Sequence, residues 1–181
     1  MLEPPGERAA HEFRLKLREA TAEQHRRLDD RIGAIDLSTV RGRTAFQRIH
    51  EIANGRVLAA CGGQAAEATG YLTRSTGEAS GTTEGATASE DHLHPDAVAY
   101  VMLGSQLGLA FIRKSLPDAH RTGVLQSEPD IASWRGFLAR IAANPPQGDL
   151  HDRILTDSTR VFDIFLAAAD QTLSAHEFQT E

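Results

Sequence analysis

The spacing of apolar residues along the chain is helical from one end to the other. Phe13, Leu17, Ala20 and Leu28 mark one edge of a stretch otherwise filled by Arg, Glu, Gln and Asp, which predicts a first helix over roughly residues 10 to 30. Gly33 punctuates it, and Asp36 or Ser38 can cap a second helix that runs to about residue 53 on Phe46, Ile49 and Ile52 or Ala53. Pro95 suits the first turn of a helix reaching about Ser115, where Pro117 ends it. Val98, Val101 or Met102, Leu103, Leu107, Ala110, Phe111 and Ile112 spread so widely round this helix that burial on more than one side is expected. Ile131, Trp134, Phe137, Leu138 and Ile141 define a helix at about 130 to 143. After the break at Asn144-Pro145-Pro146-Gln147-Gly148, a last one runs from about 149 to 174 on Leu150, Ile154, Val161, Ile164, Phe165 and Ala168. No convincing period-two run occurs, so the fold class expected is all-α, a single-domain multi-helix bundle.

Three segments fall outside this pattern. Residues 1 to 9 form a polar, proline-containing lead-in with little to bury. Residues 56 to 72 are rich in Ala and Gly and permit a weak helix without requiring one. From Thr73 to His92 there is no aliphatic side chain larger than Ala and no aromatic, so ordering entropy goes unopposed and a long exposed loop or disorder is expected.

At 181 residues the chain fits one domain with a real core. One cysteine, Cys61, rules out an internal disulfide and suits a reducing compartment. No apolar run approaches the ~20 residues of a membrane span. The N-terminus has acidic residues and prolines where a signal peptide needs an apolar core. A cytoplasmic protein is therefore expected. With a net charge of −6 and no Lys/Arg run, neither nucleic acid nor an anionic membrane is expected as a partner, and an anionic ligand must be held by a local cluster of cations.

Chemistry concentrates in two places. His25 lies at the border of the first helix's apolar stripe, and Arg18 precedes it by seven residues, two turns that return to nearly the same face about 10 Å along the axis. Such a pair could hold a flat anionic ligand at its middle and its edge, or could be an incidental feature of a surface helix. Gly104 and Gly108 share one helical face with Ser105 beside them. Each costs the helix about 1 kcal/mol relative to Ala, which points either to tight helix packing or to a backbone lying flat over a ligand. His92 and His94, with Asp91 and Asp96 nearby, could bind a metal adventitiously. Nothing beside Cys61 argues for a nucleophile.

The run Leu17-Arg18-Glu19-Ala20-Thr21, three residues, then His25 and a Leu-Asp pair resembles the first helix of the heme oxygenases. Ala99 to Phe111, with its core Gly104-Ser105-Gln106-Leu107-Gly108, is similar to the distal helix of bacterial members, and Ser133-Trp134-Arg135-Gly136-Phe137-Leu138 resembles the end of the same family. The order and approximate spacing of the three segments agree with the family. Residues 54 to 92 do not align with it, and Leu109 stands where a further glycine is common.

The resemblance implies an oxygen-dependent opening of heme to biliverdin, ferrous iron and carbon monoxide. It implies His25 as the axial iron ligand, and Gly104, Ser105 and Gly108 as a distal wall that offers no base and leaves room for water. Arg18, Tyr100 and Arg135 are implied as contacts to the heme propionates, with Tyr100 offset by one residue from some relatives. Heme would be both substrate and cofactor, with molecular oxygen the co-substrate. No flavin or nicotinamide motif is present, so electrons would come from an external reductase or ferredoxin, and a biliverdin-binding photoreceptor is a recipient of the product by analogy. Two other functions fit the same residues. One is a non-enzymatic heme carrier or sensor that keeps His25; the other is a heme-free helical interaction protein whose glycines serve packing.

Overall fold

The computed structural model describes residues 5–62 and 92–177. Every described regular element is helical. In chain order these are α1 (Pro5–Gly33), α2 (Val40–Ala60), α3 (Pro95–Ser115), two single turns of 3₁₀ helix at Asp118–His120 and Gly123–Leu125, α4 (Ile131–Ala143) and α5 (Asp149–Glu177). The all-α expectation holds for these residues. The expected loop at 73–92 falls, except for His92, outside them.

Local chemistry sets the helix ends. Thr39 caps α2, its Oγ1 accepting from the N–H of Gly42 at 2.9 Å. Asp36 turns the preceding chain instead, its Oδ1 accepting from the backbone N–H of Ser38 at 2.9 Å and from the Ser38 hydroxyl at 2.6 Å. α2 runs seven residues beyond the expected end at 53, because Val57 is fully buried and Leu58 packs beside it. Pro95 opens α3 as expected, and His94 caps it, Nδ1 accepting from the N–H of Asp96 at 3.1 Å. Asp130 caps α4 through Ser133, accepting from its N–H at 3.0 Å and its hydroxyl at 2.6 Å.

α5 is the spine, packing against α1, α2 and α3. Its buried positions include small residues, Ser158, Ala168 and Ala169, that let neighbouring helices approach closely. Ser158 and Thr172 satisfy their buried hydroxyls on the carbonyls of Ile154 and Ala168, each at 2.8 Å. One core joins Ile49, Val57, Val98, Met102, Val161 and Phe165 across α2, α3 and α5. A second joins Phe13, Leu17, Leu103, Phe137, Ile141 and Ile154 across α1, α3, α4 and α5. Each such side chain removed from water is worth about 1.5–3 kcal/mol before entropy is subtracted. The link between α3 and α4 folds back onto α2. Gly123 adopts φ +57° there, and a Cβ on it would lie 2.1 Å from Oε1 of Gln47, the atom that accepts from the N–H of Val124 at 2.8 Å.

α3 departs from expectation in an informative way. It is long and apolar enough to cross a membrane by length and composition, and its first half is a core helix, with residues 96–103 buried apart from half-buried Tyr100. Its second half is not wrapped by other helices: Leu107 is 40% exposed and Phe111 79% exposed. That half borders a cavity, which accounts for the apolar surface at Leu107, Leu109 and Ile112; Phe111 lies outside it.

Candidate functional site

The cavity, about 800 Å³, lies between α1 and the second half of α3 and is closed at one end by α2 and α5. Pockets for small organic ligands occupy about 300–1,000 Å³. One face of α1 lines it through His11, Arg14, Arg18, Thr21, His25, Leu28 and Ile32, successive steps of three and four residues. The stripe begins with cations, passes through His25, and ends in aliphatic side chains. Thr21 takes the buried place that periodicity assigned to Ala20, which is exposed; its hydroxyl donates to the carbonyl of Leu17 at 2.8 Å.

His25 is held from two sides. Its Nδ1 lies 2.8 Å from Oδ2 of Asp29, and its ring stands 5.5 Å from that of Phe162. Nδ1 is thus the protonated nitrogen that faces the carboxylate, and Nε2 keeps a lone pair for a metal or a donor. Asp29 entered the sequence reading only as part of the Leu-Asp pair after His25, with no role assigned, although its position one turn after His25 was a signal for one.

The opposite wall is α3, which presents Gly104, Ser105 and Gly108. A Cβ added to either glycine would meet nothing within 4 Å. Tight helix packing, one of the two readings of these glycines, is therefore not their role: they face open space in the cavity that His25 also lines. Ser105 donates its hydroxyl to the carbonyl of Met102 at 2.9 Å, so its proton is committed and its oxygen remains an acceptor. Leu109 also lines the cavity, toward its closed end.

Tyr100 reaches the same space from one turn earlier on α3. Burial pushes its phenol up, while the nearby Thr21 hydroxyl and the Arg18 charge act in the opposite direction. Arg135 does not line the cavity; Trp134, its neighbour on α4, does. The further cations that line the cavity are Arg14 and Arg26 of α1, and His11 lies one turn before Arg14. Stepping back from His25 by three and four residues would have found Arg14 and His11. Arg113 is taken up elsewhere, paired with Glu128.

His50 belongs to no constellation of chemical groups in the sequence alone. It is buried at 7% exposure on α2, among Phe46 and Phe165, whose rings lie 4.5 and 5.8 Å away, and it lines the closed end. Burial pushes its imidazole below the ordinary histidine range, against a smaller opposing effect from its bond to the Phe46 carbonyl.

The His92 and His94 pair is structural. His94 Nδ1 is occupied as the α3 cap, and the His92 ring lies over Gly62, where a Cβ would come within 2.5 Å of it. Among the described residues no group of three or more His, Cys, Asp or Glu is placed to hold a metal ion. A planar metal complex that brings its own four ring nitrogens needs one protein ligand, which His25 can provide. Cys61 is buried, with its thiol pushed up to about 11 by burial, and takes no part in the cavity.

Compared with family models, curated proteins and solved structures, the chain matches none.

Proposed function

We propose that this protein is a heme oxygenase, which binds heme between α1 and α3 and opens it with molecular oxygen to biliverdin, ferrous iron and carbon monoxide. The observation that carries the reading is the pairing of two walls across one cavity: His25 with a free Nε2 on α1, and on α3 two glycines whose missing side chains leave open space. A helix that keeps two unfavourable residues facing a void gains nothing from them in packing. Clearance for a flat ligand accounts for both.

Heme supplies the redox chemistry when bound. Each residue of the chain then has a defined task. His25 would hold the iron through Nε2, with Asp29 fixing the imidazole's tautomer. Arg14 and Arg18, which line the cavity with Tyr100, would hold the two carboxylates. The α3 wall, made of glycine backbone and a serine whose proton is committed, would offer the bound group no basic side chain. The apolar end, with Ile32, Phe46, Leu109, Ile112 and Phe165, suits the hydrocarbon edge of the macrocycle. Electrons come from a separate reductase or ferredoxin.

The test is a hemin titration of the protein and of His25→Ala, followed by ascorbate under air. A His25-dependent Soret band that saturates near one equivalent and decays to a biliverdin spectrum supports the enzyme. A stable complex that never turns over makes the protein a heme carrier or sensor. Absence of any His25-dependent complex leaves a helical interaction protein.

A further inference from the structure

We propose that His50 is a second recognition point at the closed end of the cavity, where its Nε2 accepts a hydrogen bond from a ring N–H of an open-chain tetrapyrrole. This rests on the reading above that a tetrapyrrole occupies the cavity.

The geometry fixes which nitrogen is free. His50 Nδ1 lies 2.9 Å from the carbonyl oxygen of Phe46. A carbonyl can only accept, so Nδ1 carries the proton and Nε2 of the neutral ring carries a lone pair. That nitrogen has no protein partner among the described residues and is not one of the fully buried unpaired atoms; the residue is 7% exposed and lines the cavity, so the nitrogen's remaining access is to the cavity. Its surroundings there are hydrocarbon: Ile32, Phe46, Leu109, Ile112 and Phe165. A lone acceptor that opens onto the cavity from a largely apolar recess favours a ligand that brings one donor, because a ligand without one would strip water from it and put nothing in its place.

Closed heme brings no such donor. Its four ring nitrogens are bound to metal and its hydrocarbon edge bears C–H bonds alone. Once the ring is opened and the metal gone, pyrrole and lactam N–H groups exist, and an end ring can rotate to present one. His50 therefore tells the opened chain from the closed ring, holding biliverdin at the inner end while leaving heme affinity untouched.

The experiment compares binding of hemin and of biliverdin to the full chain, to His50→Phe and to His50→Gln, with circular dichroism to check folding. Phe keeps a ring between Phe46 and Phe165 and removes the acceptor; Gln restores one. The expected result for His50→Phe is a hemin affinity within about twofold of the parent and a biliverdin affinity about fivefold weaker, the worth of one buried hydrogen bond, partly recovered in His50→Gln. Should neither variant fold, the ¹⁵N shift of His50 Nε2 in the parent protein must move on addition of biliverdin and stay put on addition of the zinc complex of protoporphyrin. Equal losses for both compounds, an unchanged biliverdin affinity, a static Nε2 signal, or no binding of biliverdin by the parent would each overturn the proposal. If biliverdin binds through His50 while hemin fails to bind through His25, the subsite stands and the oxygenase reading falls. The reverse pattern retains the oxygenase reading and removes the subsite.

Discussion

Nδ1 of His25 faces Oδ2 of Asp29 across 2.8 Å, one turn apart on the same helix. A carboxylate behind an imidazole orients the ring and raises the basicity of its other nitrogen, and loss of such a partner typically lowers metal affinity 10- to 100-fold. Here the two side chains are 59% and 66% exposed, so water screens the pair and the lower end of that range applies. Asp29→Ala should weaken hemin binding by about tenfold, and His25→Ala should abolish the His-dependent Soret band. Both are read from absorbance titrations.

Gly104 and Gly108 separate stability from binding. Because a Cβ at either meets nothing, Gly108→Ala should raise stability by about 1 kcal/mol through helix propensity, a melting temperature higher by about 2–4 °C for a chain of this size. Gly108→Leu should fold equally well and bind no hemin, its side chain occupying the cavity. A loss of thermal stability in Gly108→Ala would mean that the helix needs the glycine for packing after all.

Removing the cations should reveal which of them meet the ligand. Arg14→Ala and Arg18→Ala each lose one exposed charge pair, worth up to about 1 kcal/mol, or roughly fivefold in hemin affinity, and the loss should shrink as salt is added. Arg135→Ala should bind hemin like the parent protein. Equilibrium titrations at two ionic strengths measure all three.

Acid should destabilise the apoprotein through His50. Its folded-state proton affinity is lowered by burial, so below the ordinary histidine value of about 6.5 the unfolded chain binds a proton that the folded chain does not. Stability is complete above that value and falls as pH drops through it toward the lower folded value, by at most about 1.4 kcal/mol per pH unit for one proton. His94, also lowered by burial first, acts in the same direction. Urea midpoints between pH 7 and 5 should fall less steeply in His50→Gln.

Cys61 should be silent toward thiol reagents in the native state at pH 8. Its side chain is 1% exposed and its thiol is pushed up to about 11, so neither access nor thiolate is available until the chain unfolds. Reaction kinetics with and without denaturant check this.

Helical periodicity was a sufficient guide to α3 and α4, whose ends lie within a residue of those expected, because proline, Asx and turn residues mark them chemically. It failed where burial is carried by a polar letter. Thr21 and His50 are both inside, each with its polar atom bonded to a carbonyl four residues back in its own helix, and neither advertises that by hydrophobicity. His25, Arg18, Tyr100 and the two glycines do meet around one cavity, but which helix faces α1 is a long-range fact that no single helix encodes. Arg135 shows the same limit on a finer scale. Successive residues on a helix point about 100° apart, so with Trp134 turned to the cavity its neighbour is turned away.

The stripe along α1, charged at one end and aliphatic at the other, acts as a compass with a single axis. It dictates which edge of a flat ligand goes in first, and it is blind to rotation of that ligand by 180° about the same axis. A macrocycle whose two faces differ only in the order of its small substituents should therefore settle in two inverted orientations of similar population. Proton NMR of the ferric complex would display them as a doubled set of ring-methyl resonances.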